Sequence, residues 1–197
     1  MKIFIFIALN SLFLHSSPAI STEHLLKDRW DLSKTQREYL LDHKVLALSD
    51  VNTDDAGIQH FKLKAAALHK KTCTKVLRKL SMLEEYHNLV SFIKSSTYDE
   101  KSKLFTIKAD HPVLPYPMIV HIIVDRPTKM GIYHFVFPTG MFRGLKGYFE
   151  ITETNKKCLF FATSTWSGKK DRLPDFVIEL FSETLSKLGG ELLMRKT

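Results

Sequence analysis

Pro138-Thr139-Gly140-Met141-Phe142-Arg143-Gly144-Leu145-Lys146-Gly147-Tyr148-Phe149-Glu150-Ile151 is a glycine-punctuated turn set between two apolar runs. Ile132 to Phe137 lies upstream and Cys158 to Trp166 downstream, both rich in the aromatic and β-branched residues that favour strands. They read as neighbouring strands joined through this turn. Gly140, Gly144 and Gly147 allow a tight path while Met141, Phe142 and Leu145 form an apolar tip. Arg143 and Lys146 make that tip cationic, as in segments that lie against anionic head groups.

Working outward, the spacing Pro-x-Gly-x-Phe-x-x-Leu-x-Gly-x-Phe-x-Ile, carried by Gly140, Phe142, Leu145, Gly147, Phe149 and Ile151, resembles the START/polyketide-cyclase superfamily. Its secreted cyclase/dehydrase and coenzyme-Q-binding members are the most similar. The resemblance extends from the strand pair near Lys44 through Val76-Leu77 and Tyr86 to Leu173-Pro174-Asp175. Met82, Val90 and Phe149 depart from residues usual in the family. It implies an α+β helix-grip fold, in which a curved antiparallel sheet wraps a long C-terminal helix and two short helices sit between early strands. It also implies an apolar cavity between sheet and helix. The sheet linings expected there are Phe61, Phe105, Tyr133, Phe135, Phe149 and Phe161, faced by Phe176, Val177 and Leu180 of the helix.

The residues support that architecture independently. After the polar turn at Asp54 to Gly57, Phe61, Leu63, Ala65 and Ala67 alternate with His60, Lys62 and Lys64, giving a strand with one apolar face. Lys44 to Asp50, Val90 to Ser96, Leu104 to Ala109 and Met118 to Asp125 read as further strands. Their short connections require antiparallel pairing. Ser33 to Gln36 is a capping box for a short helix ending near His43. Thr72 caps a helix carrying Cys73, Val76, Leu77 and Leu80, and Ser81 to Glu84 forms a second capping box. Beyond Pro174, Phe176, Val177, Leu180, Phe181, Leu185, Leu188 and Leu192 recur at helical steps across Gly189-Gly190. Either the helix ends at those glycines or it passes very close to the sheet.

The 197 residues, 44% hydrophobic and 25% charged, suit one soluble domain. Met1-Lys2 followed by the apolar run Ile3 to Leu14 has the form of a secretory leader, with cleavage near Ala19 or Ser21. The organisation expected is therefore a signal peptide over 1–21, a lead-in with a short helix over 22–43, and one helix-grip domain over 44–197. Export to a bacterial periplasm or the exterior follows. The net charge of +8 favours anionic partners, while export argues against nucleic acid.

Chemistry-bearing motifs are sparse. Asp50 to Asp54 resembles the opening of a calcium loop, but Asp55 occupies the glycine position and Phe61 the position of the bidentate glutamate. The histidines lack zinc-site spacing, and no metal or cofactor is expected. Cys73 and Cys158 fit two buried thiols or one long-range disulfide in an exported chain, with the thiols favoured. Asp125-Arg126 reads as an exposed ion pair. The leading functional expectation is non-catalytic binding of a lipid, quinone or isoprenoid at a membrane surface, through the tip Met141, Phe142, Arg143, Leu145 and Lys146. An alternative is a cyclase, dehydratase or hydrolase using His111, His121, His134 or Tyr133 as proton shuttle. A third, implied by toxins and chaperone regulators of the superfamily, is a protein-interaction module.

Overall fold

The computed structural model describes residue 26 and residues 32–112, 117–140, 142–170 and 174–197. The leader expected at 1–21, the tip residue Met141 and Leu173 lie outside these. The first helix, α1 (Lys34–Leu41), starts from the capping box: the Ser33 N–H donates to Gln36 Oε1 at 2.9 Å and the Gln36 N–H to Ser33 Oγ at 3.2 Å. Strands β1 (Leu46–Thr53) and β2 (Ile58–His69) follow as an antiparallel hairpin. Asp54 closes it as a polar turn, its Oδ1 accepting the Ala56 and Ile58 N–H groups.

Next come α2 (Cys73–Leu80), a 3-10 turn (Leu83–Glu85) and α3 (Tyr86–Leu89). The second capping box does not form. Ser81 Oγ turns back to the Arg78 carbonyl and Glu84 is drawn away by Arg126, so the segment tightens into the 3-10 turn. Strands β3 (Ile93–Asp99), β4 (Leu104–Ala109), β5 (Met118–Val124), β6 (Gly131–Val136), β7 (Lys146–Thr154) and β8 (Lys157–Lys169) precede the last helix, α4 (Asp175–Lys196).

All eight strands form one antiparallel sheet in the order β1-β2-β8-β7-β6-β5-β4-β3. Contrary to the expectation from sequence, the run 132–137 and the run 158–166 are therefore not neighbours; β7 lies between them, pairing Tyr133 with Phe149 on one side and Phe149 with Ala162 on the other. Half of the supposed turn is strand because Tyr148, Phe149, Glu150 and Ile151 alternate in facing, and Gly147 admits the crowding there. A Cβ at Gly147 would stand 2.1 Å from the Thr163 carbonyl oxygen. The true turn is shorter, with Gly140 and Gly144 at φ of +86° and +87°.

The sheet packs against different partners on its two faces, the outer one being covered, among the described residues, only over β1, β2 and β8. On the outer face Leu26, Leu32 and Leu40 pack against Leu46, Leu68, Leu159 and Phe161. The inner face carries α4. Asp175 anchors its first turn, accepting from Thr53 Oγ1 at 2.7 Å and Gln59 Nε2 at 2.7 Å, an anion where the helix N-terminus favours one. Ser49 N–H donates to Glu183 Oε1 further along, and Lys71 Nζ and Lys196 Nζ donate to the Thr197 and Asn88 carbonyls at the far end. The helix does not stop at Gly189-Gly190. It passes close by, since a Cβ at Gly190 would lie 2.9 Å from Val45 Cγ1.

Cys73 and Cys158 are joined in a disulfide, contrary to the two thiols expected. Both are fully buried, as that reading required. What sequence hid is adjacency: Cys73 opens α2, Cys158 is the second residue of β8, and the Cys158 N–H donates to the Lys71 carbonyl, bringing residues 85 positions apart to a Cα separation of 4.5 Å. Arg126 also departs from expectation. It pairs with Glu84 and Glu100 and sits 4.5 Å from the Tyr98 ring centre, while Asp125 goes to Lys103. This network fastens the 3-10 turn to the β3–β4 hairpin.

Candidate functional site

Beneath the C-terminal half of α4 the inner face is hollow. A cavity of about 390 Å³ lies between sheet and helix. Its floor comes from Ala65 and Ala67 of β2, Phe149 and Ile151 of β7, and Phe160 and Ala162 of β8. These side chains share a face because the register sets Ala67 beside Phe160 and Phe160 beside Ile151. Phe105, Ile122, Val124, Phe135 and Phe137 form one side. Leu80, Leu83 and Tyr86 close one end, and Ser186, Gly190, Leu193 and Met194 of α4 form the roof.

Polar chemistry inside is slight. Tyr86 turns its hydroxyl to the Leu80 carbonyl at 2.9 Å, and burial pushes its phenol well above the ordinary value, so it stays neutral. Its ring meets Phe105 edge-on, with centres 5.4 Å apart. The ladder between β5 and β6 runs for only two residue pairs, Ile123 with Val136 and Val124 with Phe135. Ile122 and Phe137, beside this shortened pairing, both border the cavity.

Of the nine residues expected to line it, Phe105, Phe135 and Phe149 do so with side chains in the same inner cluster. Phe161 borders the cavity, but alternation with Phe160 sends its side chain to the outer-face cluster. Tyr133 stacks on Phe149 at 5.1 Å without reaching the cavity, its hydroxyl donating to the Lys129 carbonyl at 2.6 Å. Phe61 is buried at the opposite end of α4 with Val51, Leu145 and Ile178. Phe176, Val177 and Leu180 do not line it. Apolar residues surround this helix at several phases, and Ile178 takes the inward one, leaving Phe176 at 68% and Leu180 at 62% exposure.

The expected tip is corrected in the same way. Leu145 is 6% exposed in the cluster with Phe61, and Phe142 packs on Phe61 and Trp166 with ring centres at 6.1 and 5.6 Å. Arg143 and Lys146 remain exposed. The turn folds its apolar side inward because the cluster offers it aromatic contacts that solvent does not.

None of the four proposed proton shuttles borders the cavity. His121 Nδ1 lies 3.0 Å from Thr106 Oγ1 on the outer face, His134 faces outward beside Tyr148, and the His111 ring contacts Phe92. Sequence reasoning missed small residues, Ala65, Ala67, Ala162 and Gly190, as well as larger ones such as Ile122, Ile151 and Phe160. For the alanines a signal was present as a loss of side-chain volume, from Phe61 to Ala65 and Ala67 along β2 and from Trp166 to Ala162 along β8.

No family model matches the sequence, and no curated protein matches it significantly. Solved structures do match in fold. A START superfamily protein from Mycobacterium smegmatis aligns at a TM-score of 0.54 and 14% identity, over 68% of this chain and 95% of its own. The protein XoxI from Bacillus cereus aligns at 0.52 and 13% identity, over 68% and 94%. The di-domain ARO/CYC StfQ from the steffimycin biosynthetic pathway aligns at 0.50 and 12% identity, over 80% of this chain and 52% of that one. The chain has a START-like helix-grip α+β fold.

Proposed function

We propose that this chain binds a hydrophobic ligand in the cavity beneath α4 and performs no chemistry on it. The observation that carries this reading is the lining: about 390 Å³ bounded by aliphatic and aromatic side chains, with Ser186 and the committed Tyr86 hydroxyl as its side-chain polar groups. Acid–base catalysis needs a titratable group within hydrogen-bond reach of the reacting atom. The histidines offered for that task lie elsewhere. A lipid, quinone or isoprenoid fits the same walls.

Export, from the leader-like residues 1–21, and action at a membrane surface complete the proposal. The membrane-facing element is now the N-terminal half of α4 rather than the 141–146 tip. Phe176 and Leu180 stand one turn apart on its exposed side, and Lys170 lies 3.8 Å from the Asp175 carboxylate at its start.

The test is to incubate the folded protein with cell-envelope lipid extract, re-purify it, and identify bound lipid by mass spectrometry. A stoichiometric apolar ligand is expected in the wild type and absent from Ala65→Phe, which fills the floor. An empty wild-type protein refutes the reading.

A further inference from the structure

A second concavity, of about 700 Å³, lies where the end of α1, the end of β2 and the last turns of α4 meet. We propose that this groove holds the anionic head of a single-chain amphiphile whose tail occupies the apolar cavity. The proposal rests on the ligand-binding reading above and names the ligand class for that same site.

The two spaces share a wall. Met194 borders both, and at three further places the chain steps directly from one to the other: Val45 to Lys44, Ala67 to Leu68, and Gly190 to Glu191. A carboxylate or phosphate inside the apolar cavity would lose its hydration with nothing to replace it. A head group on such a ligand must therefore remain outside, and the groove is a polar space adjoining the roof. The cavity sits near the lower limit of ordinary ligand pockets, about 300 Å³, so one chain suits it better than two.

The charge of the groove is positive. Lys44, Lys70, Lys71 and Arg195 face Asp42 and Glu191. Two of the cations are partly neutralised, Lys44 by Asp42 at 3.6 Å and Arg195 by Glu191 at 3.2 Å. Lys71 Nζ donates to the Thr197 carbonyl, which uses one of its protons, and no ion pair involves Lys70 among the described residues. His69 is not part of this charge. His69 places Nε2 3.1 Å from the Met194 carbonyl and accepts the Lys71 N–H at Nδ1, which fixes it as the neutral tautomer. His43 Nδ1 sits on the Leu68 carbonyl at 2.7 Å. Both rings thus hold the groove's backbone in place beside the shared wall, and lysine and arginine are placed to meet the anion.

The experiment displaces the neutral fluorophore N-phenyl-1-naphthylamine from the folded protein with oleate, oleoyl lysophosphatidate and oleyl alcohol, each below its aggregation limit. At exposed sites each pair contributes under about 1 kcal/mol, so the better anion should bind about five-fold more tightly than the alcohol. In Lys70→Glu/Arg195→Glu that preference should vanish while alcohol binding stays unchanged. Which anion wins separates a carboxylate from a phosphate head. Equal binding of all three, or a preference that survives the double variant, overturns the proposal. Should the double variant also lose the alcohol, Lys70→Gln/Arg195→Gln decides, and a preference retained there overturns the proposal too. If neither the fluorophore nor the alcohol binds the wild type, the cavity reading itself fails, which is a different result from loss of head-group preference.

Discussion

The two halves of α4 cover the same sheet with opposite outcomes. Under its N-terminal half the space is filled by Val51, Phe61, Leu145 and Ile178, flanked by Phe142 and Trp166. Under its C-terminal half the same strands enclose a void. The difference is side-chain volume along two strands. β2 reads Phe61, Leu63, Ala65, Ala67 on its inner face, and β8, its neighbour in register, sets Trp166 opposite Phe61 and Ala162 opposite Ala65. A helix held at a fixed height by Asp175 at one end and by Lys71 and Lys196 at the other cannot sink to follow that taper. Close packing is the rule for interiors, so a void maintained this way is a built feature of the chain and not a loose core.

The contrast breaks most directly at Phe61. Phe61→Ala removes a ring from the filled end and should lower unfolding free energy by about 3–5 kcal/mol, measured by chemical denaturation. Ala65→Phe adds a ring to a space that can hold it and should cost far less while abolishing ligand binding. Equal losses from the two substitutions would mean that the ends do not differ in packing.

Next in size is the disulfide, which staples α2 to β8 beside the hollow end. Closing a loop of 85 residues stabilises by at most about 4.6 kcal/mol in the chain-entropy treatment. The Cys73→Ala/Cys158→Ala protein should therefore lose about 2–4 kcal/mol, read as a lower denaturation midpoint. Because α2 leads to Leu80 and Leu83, the variant should also bind ligand more weakly. Stability unchanged within error would show that the bridge adds nothing to the packing already there.

Gly190→Ala comes third. Alanine gains about 1 kcal/mol of helix propensity, but its Cβ would sit 2.9 Å from Val45 Cγ1, and overpacking of this kind costs about 1–3 kcal/mol. A net loss near 1 kcal/mol is expected. Gly189→Ala meets only the Phe92 ring, at 3.3 Å, and should be close to neutral. The reverse order would place the helix one residue out of phase.

How much of this was legible in the sequence follows from which forces are local. Period and capping are local, and they located α1, the β1–β2 hairpin and α4 from Ser33, Asp54 and Pro174. β7 was obscured because Gly147 resembles turn chemistry, although here it serves a close approach to Thr163. Helix phase was obscured because Phe176, Val177, Ile178 and Leu180 present apolar side chains in nearly every direction. The cavity was sought in its large aromatic residues, whereas alanine and glycine create the space. The Cys73–Cys158 bridge depends on a contact between distant segments that no local pattern records.

The smallest effect expected separates the two ends by pH. His69, 5% exposed at the hollow end, is held below the ordinary imidazole value chiefly by burial, with the charge of Lys71 and of His43 acting in the same direction. The unfolded chain therefore takes up a proton near pH ~6.5 while the folded chain resists it, so His69 contributes stability that is complete above that pH and declines as pH falls through its folded value. Asp175, at the filled end, is held below the usual carboxylate value by the Gln59 amide first and the Thr53 hydroxyl second. Its contribution is complete above pH ~3.9 and declines only in stronger acid. On acidification, amide protection relative to the unfolded chain at the same pH should fall first around His69 and Lys71 and later around Thr53 and Gln59. His69→Gln should remove the first step and leave the second, and Asp175→Asn should do the opposite. A single step at one pH, lost in neither variant, would mean that the two ends of the grip loosen together.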